Sequence, residues 1–268
     1  MPKTVQDIIN ILETIAPENL TESWDNVGLI IGSPANQVTS IIIGLDPQPE
    51  LLTQAEQCGA NLVITHHPLI FHPLHSIHIN QPDGQLIADC LAKNIAVISC
   101  HTNLDATIDG VSDVLASGLK LQSIEPLIPS AKTLEPGYGL GRIGIYNTPI
   151  HSDEFINRLK SCCNPPWLLG AGTKPEKISK VAVCGGSCSE LAATAQKKGA
   201  DVFVTAEVKH STARWAEQAG LWLIDAGHFA TEQATMPTLT EKLKTILKQH
   251  GENMVVLTAN QTSPLQLI

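Results

Sequence analysis

Apolar residues fall at Val5, Ile8, Ile9, Leu12 and Ile15. That spacing lines one face of a 3.6-residue period and predicts an amphipathic helix ended by Pro17. Downstream the pattern changes to short apolar runs, "VGLIIG", "TSIIIGLD", "NLVIT" and "IAVISC", the last three separated by the helical segments "PELLTQAEQCGA" and "GQLIADCLAKN". Gly59 stands where the first of these two helices needs a left-handed residue to stop. Strand alternating with helix predicts a largely parallel sheet covered by helices. From about Lys180 the alternation starts again: strand "KVAVCGG", helix "SELAATAQKKGA", strand "DVFVTAEVKH", helix "STARWAEQAG", strand "LWLIDAGH".

The two runs share residues as well as element order. Glu50, Leu51, Ala55, Gly59, Ala60 and Thr65 recur at one constant offset as Glu190, Leu191, Ala195, Gly199, Ala200 and Thr205, and after a shorter connection His101 and Asp105 correspond to His228 and Glu232. A duplicated βαβαβ unit is the economical explanation. The expected fold class is therefore α/β: two similar α/β domains from an internal duplication, with mostly parallel or mixed sheets covered by helices and a site in the cleft between them. The connection falls in residues 120–150, where "EPLIPSAKTLEPGYGLGRIG" concentrates proline and glycine. This divides the chain into residues 1–124 and 125–268, with a soft boundary that the C-terminal segment can cross to pack on the first domain.

In open α/β sheets ligands bind outside the carboxyl ends of the strands. Three groups of candidate metal ligands sit at such ends: His66-His67 after "NLVIT", His101 and Asp105 after "IAVISC", and His228 and Glu232 after "LWLIDAG". Adjacent strand residues point to opposite faces, so His66 and His67 serve one site only if the strand ends there. Pro68 enforces that ending. Each His-x-x-x-carboxylate pair shares one face of a helical turn. One histidine pair at a strand end is as well explained by turn hydrogen bonding; three such ends, two of them repeat-related, favour metal. Imidazole plus carboxylate suits zinc, iron, manganese or nickel, and the number of donors fits two divalent transition-metal ions better than one.

Other features carry less. His72, His75 and His78 lie in a histidine- and proline-rich loop (residues 68–84) and read as loop surface or rim, while His151, His210 and His250 read as solvated. Gly185-Gly186-Ser187 follows a strand, but lacks the spacing of a phosphate loop, so a tight turn is favoured over a phosphate cradle. Asp25-Asn26 in "WDNVGL" reads as a turn, with approach to the site as the lesser alternative. Ten histidines stand against seventeen lysines and arginines, and a net charge of −9 argues against nucleic acid and anionic membranes as partners. Seven cysteines, an odd number, fit reduced thiols. With no basic, apolar leader at the start and no long apolar run, the sequence reads as cytoplasmic.

Taken together, "SWDNVGLIIG", "THHPLIF", "CHTNLDAT", "VAVCGGS", "TAEVKH" and "GHFATE" run in the order found in the Nif-three-like family, also called the GTP cyclohydrolase 1 type 2 family. The chain resembles its short form, without an inserted central domain. The resemblance implies a dinuclear metal centre with His66, His67, Asp105, His228 and Glu232 as ligands and Glu232 as the bridge. It implies His101 beside the metals, as a group behind the ligands or as the catalytic proton carrier, and a ring-shaped homohexamer. Ala206 in "TAEVKH" departs from the family's commoner glycine, which bears on substrate shape. The implied activity is metal-dependent hydrolysis, with activated water opening the imidazole ring of the guanine of GTP, a small-molecule nucleotide substrate. The rival is a non-catalytic metal-binding or partner-binding scaffold that uses the same ligands.

Overall fold

The computed structural model of the protein describes residues 2–268. In chain order its elements are α1 (Val5–Ile15), β1 (Gly28–Ile31), β2 (Ser40–Gly44), α2 (Pro49–Gln57), β3 (Leu62–Thr65), α3 (Pro82–Ala92), β4 (Ala96–Ser99), α4 (Thr102–Ala106), α5 (Val111–Gly118), β5 (Gln122–Pro129), β6 (Gly139–His151), α6 (Ser152–Cys163), β7 (Leu169–Ala171), β8 (Lys177–Ser187), α7 (Ala192–Lys197), β9 (Val202–Ala206), α8 (His210–Ala219), β10 (Trp222–Asp225), α9 (His228–Gln233), α10 (Thr235–Gln249) and β11 (Val255–Thr258). The chain forms two compact units. One comprises Met1–Leu104 with Met236–Gln261, the other Asp105–Thr235 with Thr262–Ile268. No helix among the described residues is long and apolar enough to cross a membrane.

The first unit holds a five-stranded sheet in the order β1-β4-β3-β2-β11. Strands β4, β3, β2 and β11 run parallel, and β1 lies antiparallel on β4. Helix α1 begins where Thr4 and Asp7 satisfy each other's backbone N–H groups in a capping box. Its buried face is Val5, Ile8, Ile11, Leu12 and Ile15, with Ile11 in place of the expected Ile9.

The second unit holds a six-stranded sheet in the order β5-β6-β8-β9-β10-β7, parallel only across β8-β9-β10. Its parallel core repeats β2-α2-β3-α3-β4 of the first unit, and the shared residues do the same work in both. Gly59 (φ +68°) and Gly199 (φ +78°) are the left-handed residues that end α2 and α7. Behind them Ala60 N–H donates to Ala55 O at 2.8 Å, and Ala200 N–H to Ala195 O at 3.0 Å. Each copy thus closes its helix with the same Schellman pattern.

The units part between Leu104 and Asp105, whereas the sequence reading set the division at residues 124/125. The reason is packing: Leu115, Ala116 and Leu119, on and just beyond α5, belong to the core of the second unit. In the other direction β11 pairs with β2, so the segment Met236–Gln261 belongs to the first unit. Residues 120–150, read as a connection, contain β5 and β6, the antiparallel half of the second sheet. The glycines there are close-approach positions. A Cβ on Gly139 would overlap Ile128 O, and one on Gly141 would lie 3.0 Å from Val183 O.

On β6 a buried cation holds these strands to α5. Arg142, 1% exposed, donates Nε to Asp113 Oδ1 and Nη2 to Asp113 Oδ2, both at 2.7 Å. Its remaining donors reach the carbonyls of Gly139, Gly141, Thr107 and Gly137. A guanidinium suits this place because its planar fork serves a carboxylate and several carbonyls at once. Arg142→Met is expected to lower unfolding stability by about 3–5 kcal/mol, since it strands Asp113 and four carbonyls. Urea denaturation followed by far-UV circular dichroism measures this, and a midpoint within error of wild type would contradict the assignment.

Candidate metal centre

In the first unit the histidine pair is positioned by the end of β3. His66 N–H and His67 N–H still donate to Gly44 O and Leu45 O at 3.2 and 3.0 Å, which continues the ladder beside β2. Then Thr65 Oγ1 donates to His67 O at 2.7 Å and turns the chain. The turn brings the two rings to one side, with centroids 5.0 Å apart. His101, from the end of β4, stands 5.0 Å from the His66 ring and 5.5 Å from the His67 ring. Each of the three histidines offers one nitrogen within 4.8 Å of the others.

An oxygen on the far side fixes each ring. Nδ1 of His66 lies 2.9 Å from Cys100 O, that of His67 2.6 Å from Asp46 Oδ1, and that of His101 2.8 Å from Asp25 Oδ1. Acceptors at Nδ1 place the proton there and give Nε2 the lone pair, the arrangement that orients metal-binding imidazoles. Burial pushes the Cys100 thiol up to about 12, so it stays protonated and offers no competing thiolate.

Asp25 has a second task. Its Oδ2 accepts from Thr102 N–H at 3.0 Å and Thr102 Oγ1 at 2.6 Å, at the start of α4, which carries Asp105. Burial pushes this carboxyl up, but the hydrogen bonds from His101 and Thr102 and the charge of His101 outweigh it and hold the pKa well below the carboxylate range.

In the second unit His228 and Glu232 lie on α9, with His228 Nε2 3.1 Å from Glu232 Oε2. His228 Nδ1 is held by Glu207 Oε1 at 2.9 Å. An acid oxygen thus stands against each nitrogen of this imidazole. Glu207 reaches it from a left-handed backbone (φ +52°). Asp225 secures the turn into α9, accepting from Val208 N–H and Gly227 N–H at 2.9 and 3.0 Å.

Glu232 is 3% exposed and lies against the Gly185-Gly186 turn. Gly186 is left-handed (φ +70°), its N–H donates to Thr231 Oγ1, and a Cβ there would overlap Glu232 Oε1. The glycine pair therefore makes room for a buried carboxylate. Asp105, the first residue of the second unit, lies close enough to Cys188 for its charge to help hold that thiol protonated, after the larger effects of the hydrogen bond with Cys184 and burial.

The structure thus brings together His66, His67 and His101 in one unit, and His228 and Glu232 in the other. His72, His75, His78, His151, His210 and His250 are all exposed. Sequence reasoning passed over Asp46 and Glu207 and read Asp25 first as a turn, with approach to the site as the lesser alternative; all three act through a histidine distant in sequence, and no local spacing marks them.

The pattern of the Duf34/NIF3 family (NGG1p interacting factor 3) matches residues 3–264. The chain belongs to this family. This Duf34/NIF3 chain is 33% identical over 251 residues to a Clostridium perfringens protein named GTP cyclohydrolase 1 type 2 homolog, across 94% of this chain and 95% of that one. It is 30% identical over 264 residues to a Helicobacter pylori protein named GTP cyclohydrolase 1 type 2, across 98% and 99%. A crystal structure of a Staphylococcus aureus protein matches it with a TM-score of 0.89 and 29% identity, covering 100% of both chains.

Two variants test how this Duf34/NIF3 chain positions its donors. Asp25→Asn is expected to cost about 1–3 kcal/mol in urea denaturation. Because the folded pKa is depressed, that difference is full above the unfolded carboxylate value of about 3.9 and shrinks as pH falls below it. A deficit that does not change between pH 7 and pH 3 would show that the charge is not what stabilises. Gly186→Ala is expected to add about 1–2 kcal/mol of backbone strain and to displace Glu232. Wild-type affinity for zinc in a competition titration with a chelator would count against this placement.

Proposed function

We propose that this protein is a metal-dependent hydrolase of the GTP cyclohydrolase type. Two divalent transition-metal ions would be held by His66, His67, Asp105, His228 and Glu232. The donor set fits such ions, since imidazole nitrogens and carboxylate oxygens predominate and the neighbouring Cys100 thiol is protonated. The observation that carries the reading is that every histidine of the set has its Nδ1 engaged by an oxygen. Histidines doing nothing more than filling space need no such uniform orientation. The names of the relatives add the substrate class.

When bound, such ions lower the pKa of a coordinated water towards neutrality. The chain's own residues would do the rest. One water adds at C8 of guanine and the bond from C8 to a ring nitrogen breaks. A second water releases the resulting formyl group as formate. His101, with Nδ1 on Asp25, would first accept at Nε2 a proton from the attacking water and then deliver it to the departing nitrogen. Asp25 acts as a positioning residue, keeping the tautomer in which His101 Nε2 faces the reaction. Asp46 and Glu207 would hold His67 and His228 in the same way. The homohexamer implied by the resemblance belongs to this proposal too, and light scattering measures it.

Elemental analysis of protein purified without chelator is expected to find up to two transition ions per chain. The His66→Ala/His67→Ala double variant is expected to lose at least one. His101→Asn should keep its metal and lose about 10²-fold or more in formate release from GTP. Glu232→Gln and Asp105→Asn should abolish it. Full occupancy in the double variant would show the ligands to be misassigned, and tight metal binding with no turnover would favour a scaffold.

A further inference from the structure

Two large aromatic side chains stand in solvent beside His101. Trp24 is 58% exposed and Phe71 36% exposed. Their ring centroids are 5.9 Å apart with the planes inclined at 60°. Each is set edge-on to the His101 ring, Trp24 at 6.3 Å and 78°, Phe71 at 6.1 Å and 76°. A tryptophan usually contributes its bulk to a core, and one left this open adds little to stability.

Both rings are nevertheless mounted on a cross-linked frame. Trp24 precedes Asp25, which is anchored to His101 and Thr102. The next residue, Asn26, donates from Nδ2 to Ile70 O and so ties the loop carrying Phe71 to the same segment. The segments that carry both rings are thus tied by hydrogen bonds to the proton-carrying histidine; Phe71 also meets the His72 ring at 4.6 Å, and both rings keep exposed surface.

We infer that Trp24 and Phe71 form a platform for the flat purine ring of a nucleotide, holding it beside His101. The inference rests on the reading above and names how the same site grips its substrate. The 60° inclination excludes a parallel sandwich of the two rings around one base. The base stacks on one ring and meets the edge of the other, which leaves its own edge towards His101. Stacking on a π face tolerates any base, so this platform selects planar heterocycles as a class and distinguishes poorly among purines.

ATP and inorganic tripolyphosphate, titrated calorimetrically into metal-loaded protein, separate the nucleoside contribution from the phosphate contribution without guanine ring opening. Wild type is expected to bind ATP more tightly than tripolyphosphate. Trp24→Ala and Phe71→Ala should each weaken ATP by about tenfold or more and leave tripolyphosphate unchanged. Trp24→Phe should restore most of the loss, and metal content should stay at the wild-type value throughout. No preference for ATP in wild type overturns the platform, and so do equal losses for both ligands. A changed molar mass in light scattering with ATP affinity intact overturns it as well, because the rings then cover a subunit contact. Platform-dependent ATP binding without turnover of GTP would sink the hydrolase reading and leave the platform standing. Turnover of GTP with an unmoved KM in both alanine variants would do the reverse.

Discussion

A neutral imidazole must put its proton on one nitrogen or the other, and a hydrogen bond to the far nitrogen decides which. In this chain that constraint recurs at His66, His67, His101 and His228, each with Nδ1 against an oxygen. The partners are a strand-end carbonyl in one case and carboxylates in the other three. Once the tautomer and ring plane are set, the remaining nitrogens of His66, His67 and His101 are aimed as a group. Much of the surrounding structure serves that aim: Thr65 turns the chain after β3, and Asp25 joins β4's end to the loop before β1. Low exposure sharpens the effect, because a misdirected imidazole in a poorly solvated place has no water to correct it.

Duplication explains why each unit's group of donors arises from simple parts. Each copy needs only a parallel βαβαβ layer whose strand ends carry polar residues, and the same Schellman caps at Gly59 and Gly199 close the first helix of both. The copies then diverge in what flanks them. The first sheet takes β11 from the distant C-terminal segment, while the second grows an antiparallel half through β5 and β6. Arg142 ties that half to α5, and its five hydrogen-bonding donors are all spent on Asp113 and carbonyls, so its charge serves structure.

The Gly185-Gly186 turn, expected as a tight turn rather than a phosphate cradle, takes a further purpose from its neighbours. A glycine pair between strand and helix suggests exposed amides, yet Gly186 N–H is already given to Thr231 and its missing side chain is what admits Glu232. Absence of a Cβ and availability of an N–H are separate properties. Only neighbours remote in sequence say which is in use.

From the sequence alone came the α/β class, the duplication, most strands and helices, and the histidines and carboxylates that gather at strand ends. These are legible because hydrophobic period, glycine stops and the alternation of elements are local, and because an open sheet places its strand ends together by rule. Tertiary structure decided the rest. It set the division at Leu104/Asp105, made strands of a proline- and glycine-rich stretch, and recruited Asp25, Asp46 and Glu207 to hold the histidines. Each of these depends on which distant backbone a residue is brought against, and a hydrogen bond across dozens of residues leaves no period in the chain.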